Sequence, residues 1–319
     1  MKNIEMHCHS TLSDGRNALE EIIAEAKRCN LDFLSLTDHD HISPKSFQEE
    51  LQDLWIQSCD SVEISARNYE LDKSLHLVSY AKVFHNSLYQ VLENSRSGKL
   101  AVKLGQLEKL VTEYDFEGTL EWFQAFMWNM GRDVDTSNKY DLSRYLYSIP
   151  QNQEKMRNIL WERIEWNDMV AQFYEVCFKR EGALYPIYGY EVEDYEPSVQ
   201  ETVDEVVKKS WGLVSLAHPN VTFWEKKWGI PEFERTIWNY VAKGVRGVEI
   251  NTMASPEWIQ AILVVRQKYD LILTFWSDCH RIGYDGRDGK HSTIGQINSN
   301  IPQEVLDENF WKFQSILRT

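Results

Sequence analysis

Ile4-Glu5-Met6-His7-Cys8-His9-Ser10, followed at once by Ser13-Asp14-Gly15, is the stretch on which the fold turns. Residues 3–7 read as a strand, and in an extended segment residues i and i+2 point to the same side, so His7 and His9 form a chelating pair. The chain holds only 9 histidines in 319 residues, yet others also fall at or near the ends of short apolar runs. They lie in Leu36-Thr37-Asp38-His39-Asp40, Leu75-His76-Leu77-Val78, Leu216-Ala217-His218-Pro219 and Ser277-Asp278-Cys279-His280. Asp278 and His280 repeat the i, i+2 pairing. Imidazoles and carboxylates delivered to several strand ends make a polynuclear metal site.

Between these runs the pattern alternates strand with helix. Asn17 is expected to cap a helix with Glu20 three residues on, its apolar stripe being Leu19, Ile22, Ile23 and Ala26. Asp32 to Thr37 is the next strand, and Ser43-Pro44 opens a helix with proline in its first position. Short strands are expected around Val62 to Ile64 and Leu75 to Ser79, then at Trp211 to Ala217, Arg246 to Ile250 and Leu271 to Trp276. Ser198 with Glu201 forms a capping box, and Ser255-Pro256 opens a helix lined by Trp258, Ile259, Ile262 and Leu263. Such alternation favours a parallel, barrel-like α/β sheet. Residues 86–185 break the rhythm with helical pattern and many aromatics: Trp122, Phe123, Phe126, Trp128, Tyr145, Tyr147, Trp161, Trp166, Phe173 and Tyr174. Those rings either make the insertion's own core or serve as a lid that stacks on a substrate ring.

Bulk properties narrow the function classes. A net charge of −15 gives no extended track for nucleic acid, whose binding rests on neutralising many phosphates, although bound cations can still attract a small anion locally. No run approaches the roughly 18 apolar residues of a membrane helix, and a motif stands where a signal peptide would have its apolar region; the expected location is cytoplasmic, with no membrane partner. The 5 cysteines (Cys8, Cys29, Cys59, Cys177, Cys279) have no CxxC spacing, so neither a disulfide framework nor a thiolate zinc knuckle is indicated. Cys8 and Cys279 should face away from their histidine neighbours.

Imidazole and carboxylate without thiolate suit two to three divalent ions, Mn, Fe or Zn, in a hydrolytic cluster. Ions a few ångströms apart need a bridging carboxylate. Glu63, after a short strand in Val62-Glu63-Ile64-Ser65, is the candidate, and Glu191 or Glu193 in Tyr190-Glu191-Val192-Glu193 is the rival.

These motifs together resemble the PHP superfamily, named for polymerase and histidinol phosphatase. His7-Cys8-His9-Ser10 through Ser13-Asp14-Gly15 matches its first motif, Thr37-Asp38-His39-Asp40 its second, and Val62-Glu63 with Leu75-His76-Leu77-Val78 its third. Ala217-His218-Pro219 and Ser277-Asp278-Cys279-His280 match its last ones. The resemblance covers residues 1 to about 85 and 185 to 285. It implies a distorted (β/α)7 TIM-like barrel of the PHP type, built from residues 1–85 and 186–319, with 86–185 as a helical insertion and possible substrate lid. By the same resemblance, one ion would take His7, His9, Glu63 and Asp278; a second Glu63, His76 and His218; and a third Asp14, His39 and His280.

Such a cluster activates a water and holds phosphoryl oxygens, so the expected reaction is phosphoester hydrolysis. Asp40, beside His39, is the candidate for acid-base work or for orienting a ligand. Arg281 is the first choice for a phosphate clamp, ahead of Lys73 and Arg246. The loop Gly283 to Ser292 could bring Arg287, Lys290 or His291 to the substrate, while His41 and His85 are expected to be solvated. Within the resemblance a nucleoside monophosphate or 3',5'-bisphosphate leads as substrate. Histidinol phosphate and the 5' ends of short oligonucleotides follow, and a metal-binding partner module is the non-enzymatic alternative.

Overall fold

Seven strands form among the described residues: β1 (Ile4–Cys8), β2 (Phe33–Leu36), β3 (Asp60–Asn68), β4 (Lys73–Ala81), β5 (Leu213–Leu216), β6 (Gly247–Asn251) and β7 (Ile272–Trp276). The computed structural model describes residues 3–69, 73–161, 168–192, 195–225, 229–284, 291–296 and 301–318. Trp166, Glu193, Arg287 and Lys290 lie outside these residues, as does the side chain of Lys73. The architecture is mixed α/β, with β1 and β2 in one ladder and β3 to β7 in another. Single parallel bridges join Cys8 to Cys279, Phe33 to Gln57 and His39 to Glu63.

The expected parallel order of a barrel-like sheet is broken at β4, which runs antiparallel to both β3 and β5. Only a few residues separate Asn68 from Lys73, and a parallel pair needs a crossover of a dozen or more. The pairs β1-β2, β5-β6 and β6-β7 are parallel as expected. Reversal does not remove His76 from the C-terminal end of β5, because Ala217 donates its N–H to the His76 carbonyl (3.1 Å).

All five residues of β1 are buried. Ile4 and Met6 enter the main apolar core with Val62, Leu77 and Val248, whereas Glu5 and His7 belong to the alternate row. Cys8 and Cys279 join a second apolar cluster with Ile22, Leu34 and Phe47, so they face away from the histidines beside them.

Two helix starts lie one residue later than expected. The first helix, α1 (Leu19–Arg28), is capped at Ala18, whose N–H is accepted by Glu21 (2.9 Å). The Asn17 side-chain oxygen instead accepts the Ile282 N–H (2.8 Å). Likewise α2 (Lys45–Asp53) has Pro44 as its cap, and the Ser43 hydroxyl accepts the Ser61 N–H (3.3 Å). In both places a tertiary contact claims the residue that local rules would put in the helix. The Ser198/Glu201 box and the Ser255-Pro256 start form as expected.

The chain divides into two units, residues 1–93 with 196–319, and residues 94–195. The second unit has its own apolar core, to which Phe123, Tyr145 and Phe173 belong. Phe126, Tyr147 and Tyr174 pack against that core, while Trp122, Trp128 and Trp161 are exposed. Among the described residues no helix is long and apolar enough to cross a membrane.

Candidate metal centre

The polar row of β1 starts the site. His7 and the following His9 are both buried, with their Nε2 atoms 3.0 Å apart. The His9 N–H is donated to the Cys279 carbonyl, in the segment just after β7 (3.0 Å). Gly15 lets the Asp14 turn fold back onto this point: a Cβ there would meet the His9 carbonyl oxygen at 2.5 Å, and backbone cannot give way.

Glu63 is the hub. It is 1% exposed, and its Oε1 lies 3.0 Å from His76 Nδ1 and 3.0 Å from His218 Nε2. Its Oε2 lies 3.0 Å from His39 Nδ1 and 3.3 Å from the Nε2 atoms of both His7 and His9. The His76 and His218 nitrogens are themselves 3.1 Å apart. Asp278 Oδ1 lies 3.2 Å from His9 Nε2 and 3.3 Å from His280 Nδ1, and Asp14 Oδ1 lies 3.1 Å from His280 Nε2 and 3.8 Å from His39 Nε2. All nine side chains singled out by sequence thus converge.

Nitrogen and carboxylate atoms within 4.8 Å of one another fall into the sets His7, His9, Glu63; His39, Glu63, His76; His9, Asp14, His39, His280; and Asp278, His280, His291. The donor set contains no thiolate, as hard or borderline divalent ions prefer. His39 Nδ1 is buried without a hydrogen bond among the described residues, although Glu63 Oε2 is 3.0 Å away. Two donor atoms in contact without hydrogen-bond geometry fit a shared cation between them.

The electrostatics point the same way. Burial alone would raise the pKa of Glu63, but His39, His76 and His7 hold it well below the usual range. Asp14 and Asp278 are likewise held low against burial, both chiefly by His280. Burial pushes His39 down to about 3 against the pull of Glu63 and Asp14. At ordinary pH its ring is therefore neutral, has a lone pair to give, and leaves His76 and His7 to hold Glu63 low. Burial also opposes charge on His280, yet Asp14 and Asp278 outweigh it and push that ring up to about 10. Carboxylates here demand positive charge, which only a proton or a cation can supply.

Residues 5–125 match the model of the PHP domain family. Over those residues the chain is similar to that family. A curated relative from Eggerthella lenta, phosphoribosyl 1,2-cyclic phosphate 1,2-diphosphodiesterase, is 26% identical over 307 residues, covering 93% of this chain and 98% of the relative. Among solved structures, a candidate metal-dependent phosphoesterase from Bifidobacterium adolescentis superposes with TM-score 0.66 at 19% identity, covering 98% of this chain and 96% of the other. An amidohydrolase from Chromobacterium violaceum, solved with sulfate and no metal, has TM-score 0.66 at 20% identity over 88% of each chain.

The structure also bears on several secondary assignments. Glu191 is exposed and pairs with Arg180 Nε (3.1 Å) and the Tyr185 hydroxyl (2.7 Å). Arg246 donates from Nη1 to the Val241 and Val245 carbonyls (2.8 and 3.2 Å). Arg281 is exposed beside His280. Asp40 is buried at φ 52° and accepts the Ser65 N–H (3.1 Å). His85 is exposed, as expected of a solvated ring, whereas His41 is half-buried. His291 reaches the cluster, with Nε2 3.3 Å from Asp278 Oδ2.

Sequence reasoning missed three buried carboxylates. Asp38 accepts the Ser10 N–H (2.7 Å) and the Ser10 and Ser13 hydroxyls (2.6 and 2.5 Å), fastening the His9 loop to the end of β2. Glu5, pushed up to about 7 by burial, accepts the N–H groups of His7, Ser277 and Gly295. Glu249 contacts His7 and His218. A lone Glu or Asp inside an apolar strand was the available signal, because such a charge stays buried only when paired.

Proposed function

We propose that this protein is a metal-dependent phosphoesterase in which His7, His9, Asp14, His39, Glu63, His76, His218, Asp278 and His280 hold two to three divalent ions, Mn, Fe or Zn. The observation that carries this is Glu63, a buried carboxylate whose two oxygens face different sets of imidazoles at 3.0–3.3 Å, as a bridge between ions requires. His7, His9, Glu63 and Asp278 would hold one ion, Glu63, His76 and His218 a second, and Asp14, His39 and His280 a third. The two ladders and their single bridges are arcs of one distorted seven-stranded barrel in this reading.

Bound divalent ions lower the pKa of a water and draw charge from phosphoryl oxygens. The chain's own residues do the rest. Asp38 and Glu5 fix the loops that carry the donors, and Asp40, at 1% exposure, acts through the backbone it holds rather than on the substrate. Arg281 is placed to meet a phosphate at the edge of the cluster, where a guanidinium can pair with two oxygens.

The substrate is a small phosphorylated compound, with a nucleoside monophosphate or 3',5'-bisphosphate first, since a chain of net charge −15 lacks a polymer track. The Eggerthella lenta relative favours a second reading, a cyclic phosphodiester of phosphoribose. A panel of nucleotides, phosphoribosyl 1,2-cyclic phosphate, histidinol phosphate, short and long oligonucleotides and p-nitrophenyl phosphate, each with Mn, Fe or Zn, tests both. Turnover of small phosphoesters with long nucleic acid untouched is expected. Degradation of long nucleic acid with monomers untouched would overturn the substrate class, and bound ions with no turnover at all would favour a binding module.

A further inference from the structure

None of the nine residues lies on β6, yet Glu249 in the middle of that strand is fully buried and reaches two of them. His7 Nδ1 lies 3.0 Å from its Oε1. Its Oε2 accepts the backbone N–H of His218, also at 3.0 Å. A ring that gives its Nε2 lone pair to a cation carries its one hydrogen on Nδ1, where Glu249 Oε1 stands to accept it. That leaves the Nε2 lone pair facing Glu63 Oε2 (3.3 Å) and Asp278 Oδ1 (3.8 Å). His218 takes a left-handed φ of 32°, which costs energy in a residue with a Cβ and persists only where other bonds enforce it. The Glu249 contact is one such bond. With His218 Nδ1 bonded to the Thr222 hydroxyl (3.0 Å), the Nε2 of His218 is aimed at Glu63 Oε1 (3.0 Å).

We propose that Glu249 is the positioning residue of the metal centre: one carboxylate on β6 sets the His7 tautomer and the His218 backbone, and so couples the ion positions on the two sides of Glu63. The inference rests on the proposed metal reading. Glutamine at 249 keeps the volume but offers one oxygen and one NH2, and an NH2 cannot accept from either partner. One of the two ligands must then lose its support.

The test measures binding of Mn and of Zn to the full chain by chelator competition and elemental analysis, for wild type, Glu249→Gln and Tyr80→Phe. The Tyr80 hydroxyl donates to the Met6 carbonyl, in the peptide that leads into His7 (2.9 Å), so its removal tests whether a general loosening of β1 is enough to weaken binding. Glu249→Gln should bind about 10–100-fold more weakly, the usual cost of removing such an outer partner, and Tyr80→Phe as wild type does. Equal affinity in wild type and Glu249→Gln overturns this inference alone. A wild type that binds neither metal overturns the metal reading and this inference with it. Should Glu249→Gln fail to fold, nitrogen-15 spectra of histidine in Zn-loaded wild type decide: a hydrogen on His7 Nδ1 is expected, and one on Nε2 would refute the role.

Discussion

Glu63→Gln is expected to strip the protein of metal and abolish hydrolysis together. The side chain is buried among five imidazoles, and its two oxygens serve separate groups of them. An amide cannot bridge two cations, and it would turn an NH2 toward one of those groups. Removing one partner of a buried charged contact costs about 3–5 kcal/mol, or roughly two to four powers of ten at 1.4 kcal/mol per factor of ten. Glu191→Gln is the matched control and should leave metal content intact, since Glu191 is an exposed partner of Arg180 and Tyr185. Elemental analysis and turnover of both variants check this. Metal lost from Glu191→Gln and kept by Glu63→Gln would mean that the bridge is misplaced.

The two glutamates looked alike in sequence because each sits in a short alternation of apolar and acidic residues. What separated them was not local: Glu63 lies on a strand whose N–H is taken by the Thr37 and Asp38 carbonyls, while Glu191 lies in no strand. The i, i+2 pairs were legible because period two needs only an extended backbone, and β1 supplies it. The antiparallel β4 was not, since helix-strand alternation suggests parallel order until the short link after Asn68 is weighed. Helix starts slipped where Asn17 and Ser43 found partners distant in sequence. Glu249 was hidden by its setting, because Arg246 to Ile250 was read only as a buried strand, and which histidines it meets depends on pairing across the sheet.

Metal loading should raise thermal stability strongly, and its pH dependence should oppose that of the chelated protein. At about 1,000 times Kd, one ion that binds only the folded state stabilises it by about 4 kcal/mol. At about 1.5 °C per kcal/mol for a chain of 319 residues, that is roughly 6 °C in Tm. Without ions, His280 is raised from 6.5 to about 10, so its stabilisation is complete below pH 6.5 and disappears as pH rises through about 10. Asp14, Glu63 and Asp278 are held low, so theirs is present above the usual carboxylate range and is lost as pH falls. Chelated protein should therefore lose Tm from pH 6.5 upward. Loaded protein should gain over the first part of that interval, because protons compete with cations for the same donors. Calorimetry with EDTA and with Mn checks both slopes, and parallel curves would count against cation binding at these residues.

In the proposed metal centre nine side chains hold two to three ions around Glu63. Anomalous diffraction from crystals grown with saturating Mn tests it most directly. Two or three separate peaks are expected within bonding distance of the nine, with two of them sharing Glu63 through different oxygens. No peak, or a single weak one while all nine side chains remain gathered, would contradict it.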